Sequence, residues 1–386
     1  MSMPAEKTNY RWRSSIACIA LTFALGLACG CDKRAEEPGT RLRSWTNRGD
    51  MQGDGRRGYV RQDGSWQIRP RFDVAHEFSE ELALVRMYGT SSPFSYISPS
   101  GKTVIDAIHF DSGKVVKSDR WLAAGNFSNN VALVALEGRY VIIDRAGRAL
   151  AKVAADVGVD VAYGSKGLLQ SEFEGGLAAL EVDGEYGAID PSGKWVIKPS
   201  YYLLSGFRDG MAVATRRRDK SSKRGVIDAG GRVVLPIEHD WVSIADKSHF
   251  VVTEGKLSGI LRDDGVWTVP LAEVDIGGFS DGISTIKLKN GECKLIEPSG
   301  KVVANLPWAQ CGYFSEGLCW VRSPGEAGYI DKSGVMRFTV PPNYTYLRPF
   351  LHGLTEIIDK ESGDVCLIDT SGKVLWKERI EKMSWP

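Results

Sequence analysis

Gly187-Ala188-Ile189-Asp190-Pro191-Ser192-Gly193-Lys194-Trp195-Val196-Ile197 reads as two short strands folded about a tight corner. The Asp190 carboxylate can accept backbone N–H groups at the start of a type I turn. Pro191 presets φ at the next position, and Gly193 takes the left-handed conformation that closes the loop. Apolar residues alternate on either side of the corner, so a period of two dominates over 3.6.

The corner recurs along the chain, as GYVRQDGS from Gly58, SYISPSGK from Ser95, VIIDRAGR from Val141, GVIDAGGR from Gly225 and CLIDTSGK from Cys366. Its turn glycines are 64, 101, 147, 193, 231, 265, 300, 334 and 372, with successive spacings of 37, 46, 46, 38, 34, 35, 34 and 38 residues. A second motif alternates with it, as FSEELALV (Phe78 to Val85), FSNNVALV (Phe127 to Val134), FRDGMAVA (Phe207 to Ala214) and FSEGLCWV (Phe314 to Val321). A period of about 35 to 45 residues belongs to solenoids and propellers. Eight complete units follow a leading hairpin around Gly64. The fifth is degenerate, with His249-Phe250-Val251-Val252 where the Phe-x-x-Gly motif is expected. The pattern predicts an all-β repeat array, a propeller-like ring of seven or eight blades, because closure removes exposed sheet edges. An open β-solenoid is the alternative.

With 386 residues, 43% of them hydrophobic and 25% charged, the chain can bury a large core without disulfides. Its 49 basic side chains are balanced by 48 acidic ones, which argues against a nucleic-acid-binding surface.

The N-terminus has its own logic. Arg11 and Arg13 precede an apolar run, Ile16 to Ala28, of 13 residues, signal-peptide length and shorter than the ~20 residues of a membrane span. The following Cys29-Gly30-Cys31-Asp32 resembles the lipobox of bacterial lipoproteins, which implies lipidation of Cys31, or alternatively Cys29. The domain reading is a signal peptide over 1–31, a polar flexible tether over 32–57, a repeat domain over 58–376 and a tail over 377–386. The mature protein is then expected on the cell envelope, lipid-anchored and facing the periplasm or exterior. By resemblance to sorting in enteric bacteria, Asp32 after Cys31 favours the inner membrane and Gly30 after Cys29 the outer. Cys293, Cys311, Cys319 and Cys366 lie in the last quarter. Export permits disulfides among them, with three connectivities; buried free thiols are the other reading.

Across residues 58 to 376 the two motifs together resemble WG repeats, also called KWG repeats, of bacterial proteins. One departure is that the Trp expected before the first Gly is replaced by Arg57, Tyr186, Arg224, Ser258 and Ala327. Trp stands instead after the turn, at Trp66, Trp195 and Trp267.

Catalytic and cofactor motifs fail on context. Gly53-Asp54-Gly55-Arg56-Arg57-Gly58 matches G-x-G-x-x-G but precedes a strand rather than a helix. His76, His109, His239, His249 and His352 are scattered without metal-ligand spacing, and no G-x-S-x-G occurs. Asp144, Asp190, Asp228, Asp331 and Asp369 are turn formers. Hence no catalytic, metal or cofactor residue is assigned, and no cofactor is expected.

One segment exceeds what the repeat needs: Arg216-Arg217-Arg218-Asp219-Lys220-Ser221-Ser222-Lys223-Arg224. Six basic residues and one acid are expected in a hairpin loop, as a solvated loop or as a contact for anionic lipid headgroups or an acidic partner. Trp121, Trp241, Trp308 and Trp320 are candidates for an exposed aromatic platform. Two functions follow. The first is a non-enzymatic, lipid-anchored envelope binding or scaffold protein, with a protein or envelope polymer as partner. The alternative is an envelope glycosidase or lyase at the central funnel of a ring.

Overall fold

The computed structural model describes residues 43–46, 56–88, 94–136, 139–153, 172–173, 175–218, 221–359 and 361–379. All of them belong to one compact unit, Pro38–Pro386. The expected signal peptide with Cys29 and Cys31, and residues 32–42 and 47–55 of the expected tether, lie outside the described residues. The described residues form thirty-five strands and a single 3₁₀ turn, Ser118–Arg120, with no α-helix.

The strands make eight antiparallel blade sheets, one per repeat unit, in an eight-bladed propeller arrangement, and one further two-stranded sheet. Blade 4 shows the pattern: Leu203–Leu204, Met211–Arg218, Ser221–Asp228 and Val233–His239 pair in chain order. The Phe-x-x-Gly motif turns the chain into the second strand, and the Asp-x-x-Gly corner joins the third strand to the fourth. The leading hairpin is fused to blade 1 through a shared ten-residue strand, Trp66–Ala75, giving a sheet of six strands. Two sequence boundaries shift accordingly. Arg43–Thr46, inside the expected tether, pairs with Arg57–Val60, and the last strand, Val374–Arg379, runs into the expected tail. The 46-residue spacing before Gly147 holds an inserted hairpin, Ala107–His109 with Val115–Lys117.

The corner forms as its residue types require. Asp190 accepts the amides of Ser192 (2.9 Å) and Lys194 (3.1 Å), and Gly193 sits at φ +81°. A different constraint fixes the glycine that opens the third strand. A Cβ on Gly187 would lie 2.4 Å from the Ile197 carbonyl oxygen, where the fourth strand bulges toward it. Gly58, Gly225 and Gly328 meet the same obstacle at Ile68, Leu235 and Phe338.

Aromatic side chains join neighbouring blades. Tyr96, on the third strand of blade 1, packs 4.8 Å from Phe127 of blade 2 and donates its hydroxyl hydrogen to the Gly125 carbonyl at 2.6 Å. Tyr329 repeats the arrangement with Phe350 (5.0 Å) and the Arg348 carbonyl (2.8 Å). Tyr59 does so with Phe78 (4.8 Å) and the His76 carbonyl (2.7 Å). Each tie combines burial of a large ring, ~1.5–3 kcal/mol, with an aromatic pair of ~0.5–1.5 kcal/mol.

Blade 5 keeps this core by exchange. Ala245 occupies the position of the repeat Phe, and Phe250 fills the position held by Ala83, Ala132, Ala178 and Ala212 elsewhere. Phe250 is fully buried among Met211, Val226 and Leu261. The degenerate unit thus retains its aromatic five residues downstream.

The array closes on itself. The corner of the leading hairpin lies on blade 8, where Val60, Leu354 and Leu367 form a small core with Trp66, Leu375 and Trp376 against it. His352 Nε2 of blade 8 lies 3.7 Å from the Glu77 carboxylate at the start of blade 1's turn. A ring, and not an open solenoid, is the result.

Candidate functional site

The basic segment is not a loop. Strand pairing runs through Arg216↔Lys223, Arg217↔Ser222 and Arg218↔Ser221, leaving only Asp219 and Lys220 between the strands and outside the described residues. Sequence reading missed the strands because both faces of this ribbon carry polar side chains, so no apolar alternation marks them. The equivalent ladder in blade 5 ends at Glu254↔Leu257, the counterpart of Arg216↔Lys223. The blade 4 hairpin is therefore two residue pairs longer and projects about 7 Å further.

Its guanidinium groups lie over aromatic rings at the junction of blades 3 and 4 and at the start of blade 5. Arg216 is 5.4 Å over Tyr201, Arg217 5.1 Å over Tyr202, and Arg224 3.8 Å over Trp241. Each cation–π contact contributes ~0.5–1 kcal/mol at an exposed site. Lys223 is engaged differently. Its Nζ lies 2.7 Å from the Asp240 carboxylate, which also accepts the Gly255 amide at 2.8 Å. The hydrogen bond raises the Lys223 pKa and lowers that of Asp240. Arg224 is half-buried under Trp241. Exposed Arg216 and Arg217 have no carboxylate partner among the described residues. Beneath this patch His239 Nδ1 lies 2.6 Å from Glu254 Oε1.

Of the tryptophans expected to be exposed, only Trp241 is, at 53%, whereas Trp121 is buried at 4%. Trp308 and Trp320 are half-buried and pack on the cores of blades 7 and 8. Trp121 fills the space beside the inserted hairpin instead, against Tyr96.

The carboxylates of the repeat are engaged structurally. Asp144, Asp228, Asp331 and Asp369 each accept corner amides as Asp190 does. Glu316 accepts the amides of His352 (2.6 Å) and Gly353 (2.7 Å) across the blade 7–8 junction, and Glu80 accepts that of Asn130 (2.9 Å). Among the described residues no group of three or more His, Cys, Asp or Glu side chains could hold a metal ion.

The four body cysteines are free thiols. Cys293, Cys311 and Cys319 share the core between blades 6 and 7, where burial pushes the Cys319 pKa up to about 12 and also raises that of Cys311. Cys366 lies 3.0 Å from the Tyr344 hydroxyl.

Comparison with known proteins agrees with this architecture. The chain is similar to a crystal structure titled as the eukaryotic initiation factor, at 12% identity and a TM-score of 0.55, over 88% of this chain and 96% of that one. It also aligns with BamB from Moraxella catarrhalis (11% identity, TM-score 0.36, 80% and 89% covered). AztD from Citrobacter koseri gives 11% identity and a TM-score of 0.37, with 84% and 92% covered. At 12% identity the likeness to the first of these structures is one of fold alone. No curated protein matches the sequence. The family model described as WG containing repeat matches residues 58–90, the leading hairpin and the start of blade 1, and 186–216, across blades 3 and 4. With the same motifs repeated in register around the ring, the chain is a β-propeller repeat protein that is similar to WG repeats over these two segments.

Proposed function

We propose that this protein is a non-enzymatic, lipid-anchored binding module of the cell envelope, and that the long hairpin of blade 4 is its contact surface for an anionic partner. The carrying observation is the pair Arg216 and Arg217, exposed over the rings of Tyr201 and Tyr202 toward the end of a hairpin longer than that of blade 5. Guanidinium groups exposed in this way can donate to phosphate or carboxylate oxygens. Anchoring rests on the resemblance of residues 27–32 to a lipobox. A short tether would keep the hairpin near anionic headgroups and near acidic envelope proteins or polymers.

The binder is preferred over a glycosidase or lyase because carboxylates on the repeat turns already accept backbone amides, which leaves them poorly placed as proton donors or nucleophiles. The test is capture from envelope extract, read by mass spectrometry, with wild type and Arg216→Ser/Arg217→Ser as baits. The reading expects an acidic protein or polymer that the variant fails to retain. Equal capture by both baits contradicts it, as does turnover of envelope polysaccharide by the purified protein.

A further inference from the structure

Around the ring, several corner glycines sit over the fourth strand of the preceding unit. The Cβ position of Gly372 meets Phe338, that of Gly334 meets Ala304, that of Gly231 meets Ile197 and that of Gly101 meets Ile68. In each pair the residue met lies four positions after the preceding corner glycine. At the closing contact Gly64 meets Leu375, three positions after Gly372. A cavity of about 400 Å³ opens at this seam, lined by Val60, Leu367, Trp66, Trp376, Ser65 and Arg69, with Gly64 at its edge.

That volume lies within the range of small-molecule sites, and so does the lining, mostly apolar and aromatic with few polar groups. Its charge is defined. Arg69 is exposed at the rim and has no carboxylate partner among the described residues. Asp63, the nearest acid in the corner, already accepts the Ser65 amide (2.9 Å) and hydroxyl (2.6 Å), while Arg61 donates to the Ser65 hydroxyl at 3.0 Å. Arg69 is thus the one charged side chain among the cavity's lining residues.

We propose that the seam cavity is a binding site for a small aromatic carboxylate, its ring packed among Trp66, Trp376 and Leu367 and its carboxylate paired with Arg69. The site is separate from the blade 4 hairpin. Because the seam joins the leading hairpin to blade 8, a ligand held there also strengthens the closing contact, and binding to the folded ring alone raises the melting temperature.

The experiment uses the full chain, with phenylacetate as probe and neutral phenylacetamide as its control, read by isothermal titration and thermal melting. The expected result is phenylacetate binding at least fivefold tighter than phenylacetamide, with a higher Tm. Arg69→Gln should melt like wild type without probe and bind the two compounds equally. Trp376→Leu should weaken both. No binding of phenylacetate overturns the proposal, and so does an Arg69→Gln protein that keeps the preference. A preference lost in Arg216→Ser/Arg217→Ser instead would place the anion at the hairpin and overturn the cavity assignment.

Discussion

Gly64 and Leu375 stand 311 residues apart in sequence, yet a Cβ on Gly64 would lie 3.1 Å from the Leu375 Cβ. This contact joins the first corner of the chain to its last strand, and the closed ring depends on it.

Gly113 offers an internal control for that dependence, since its φ of +75° is close to the +80° of Gly64 but nothing lies within 4 Å of its Cβ position. Gly113→Val is expected to cost about 1 kcal/mol or somewhat more from backbone strain. Gly64→Val should cost a further ~1–3 kcal/mol from overpacking the seam. Urea unfolding of the two variants checks this, and equal costs would speak for an open array.

The repeat itself yields a second contrast, between Gly187 and Gly193. At Gly193 the penalty of Ala is a left-handed φ with Ala151 Cβ 3.2 Å away; at Gly187 it is a carbonyl oxygen at 2.4 Å. Backbone cannot swing aside as a side chain can. Gly187→Ala should therefore destabilise by ~2–3 kcal/mol or more, beyond Gly193→Ala at ~1 kcal/mol. A smaller loss at Gly187 than at Gly193 would remove the bulge explanation.

Much of this architecture is legible in the sequence because each unit restates it. The corner Asp and Gly carry their own conformations, and nine corners give the ring and its order. What was hidden depends on partners in another unit. The hydroxyl of Tyr96 has its acceptor at Gly125, in the next blade. Phe250 stands five residues after the position of the motif Phe, where other units carry Ala, so the intact core of blade 5 reads as a degenerate unit. The basic hairpin is visible in the sequence as charge but not as strand, since Arg216 and Arg217 leave no apolar period; the exposure of Trp241 is legible there, but its contact with Arg224 depends on the next blade.

Asp359 gives a pH dependence. Hydrogen bonds from Asn343, the Ser362 hydroxyl and the amides of Glu361 and Ser362 lower its pKa to about 2. Since the folded-state value is below the usual 3.8, its stabilising contribution is complete above about pH 4 and is lost as pH falls toward 2. Wild type should exceed Asp359→Ala in urea midpoint by a margin that shrinks between pH 5 and 2. A margin unchanged over that range would show that the carboxylate charge is not what holds the blade 8 turn.

Export can be examined separately from the fold. Cys29→Ser/Cys31→Ser should leave the membrane fraction, whereas wild type should remain after carbonate washing because several acyl chains give firm anchoring, ~0.8 kcal/mol per buried CH₂. Retention of the double variant would mean that no lipid is attached at either cysteine.

The most direct test of the proposed contact surface is salt-dependent binding to anionic vesicles by the soluble Cys29→Ser/Cys31→Ser chain, compared with the same chain carrying Arg216→Ser/Arg217→Ser. Each basic residue near an anionic surface contributes ~1 kcal/mol, so the loss of two predicts binding weaker by roughly 30-fold at low salt. The difference should fade as the screening length falls toward about 8 Å at physiological ionic strength. Equal binding by both chains at low salt, together with equal capture of acidic envelope components, would contradict the account.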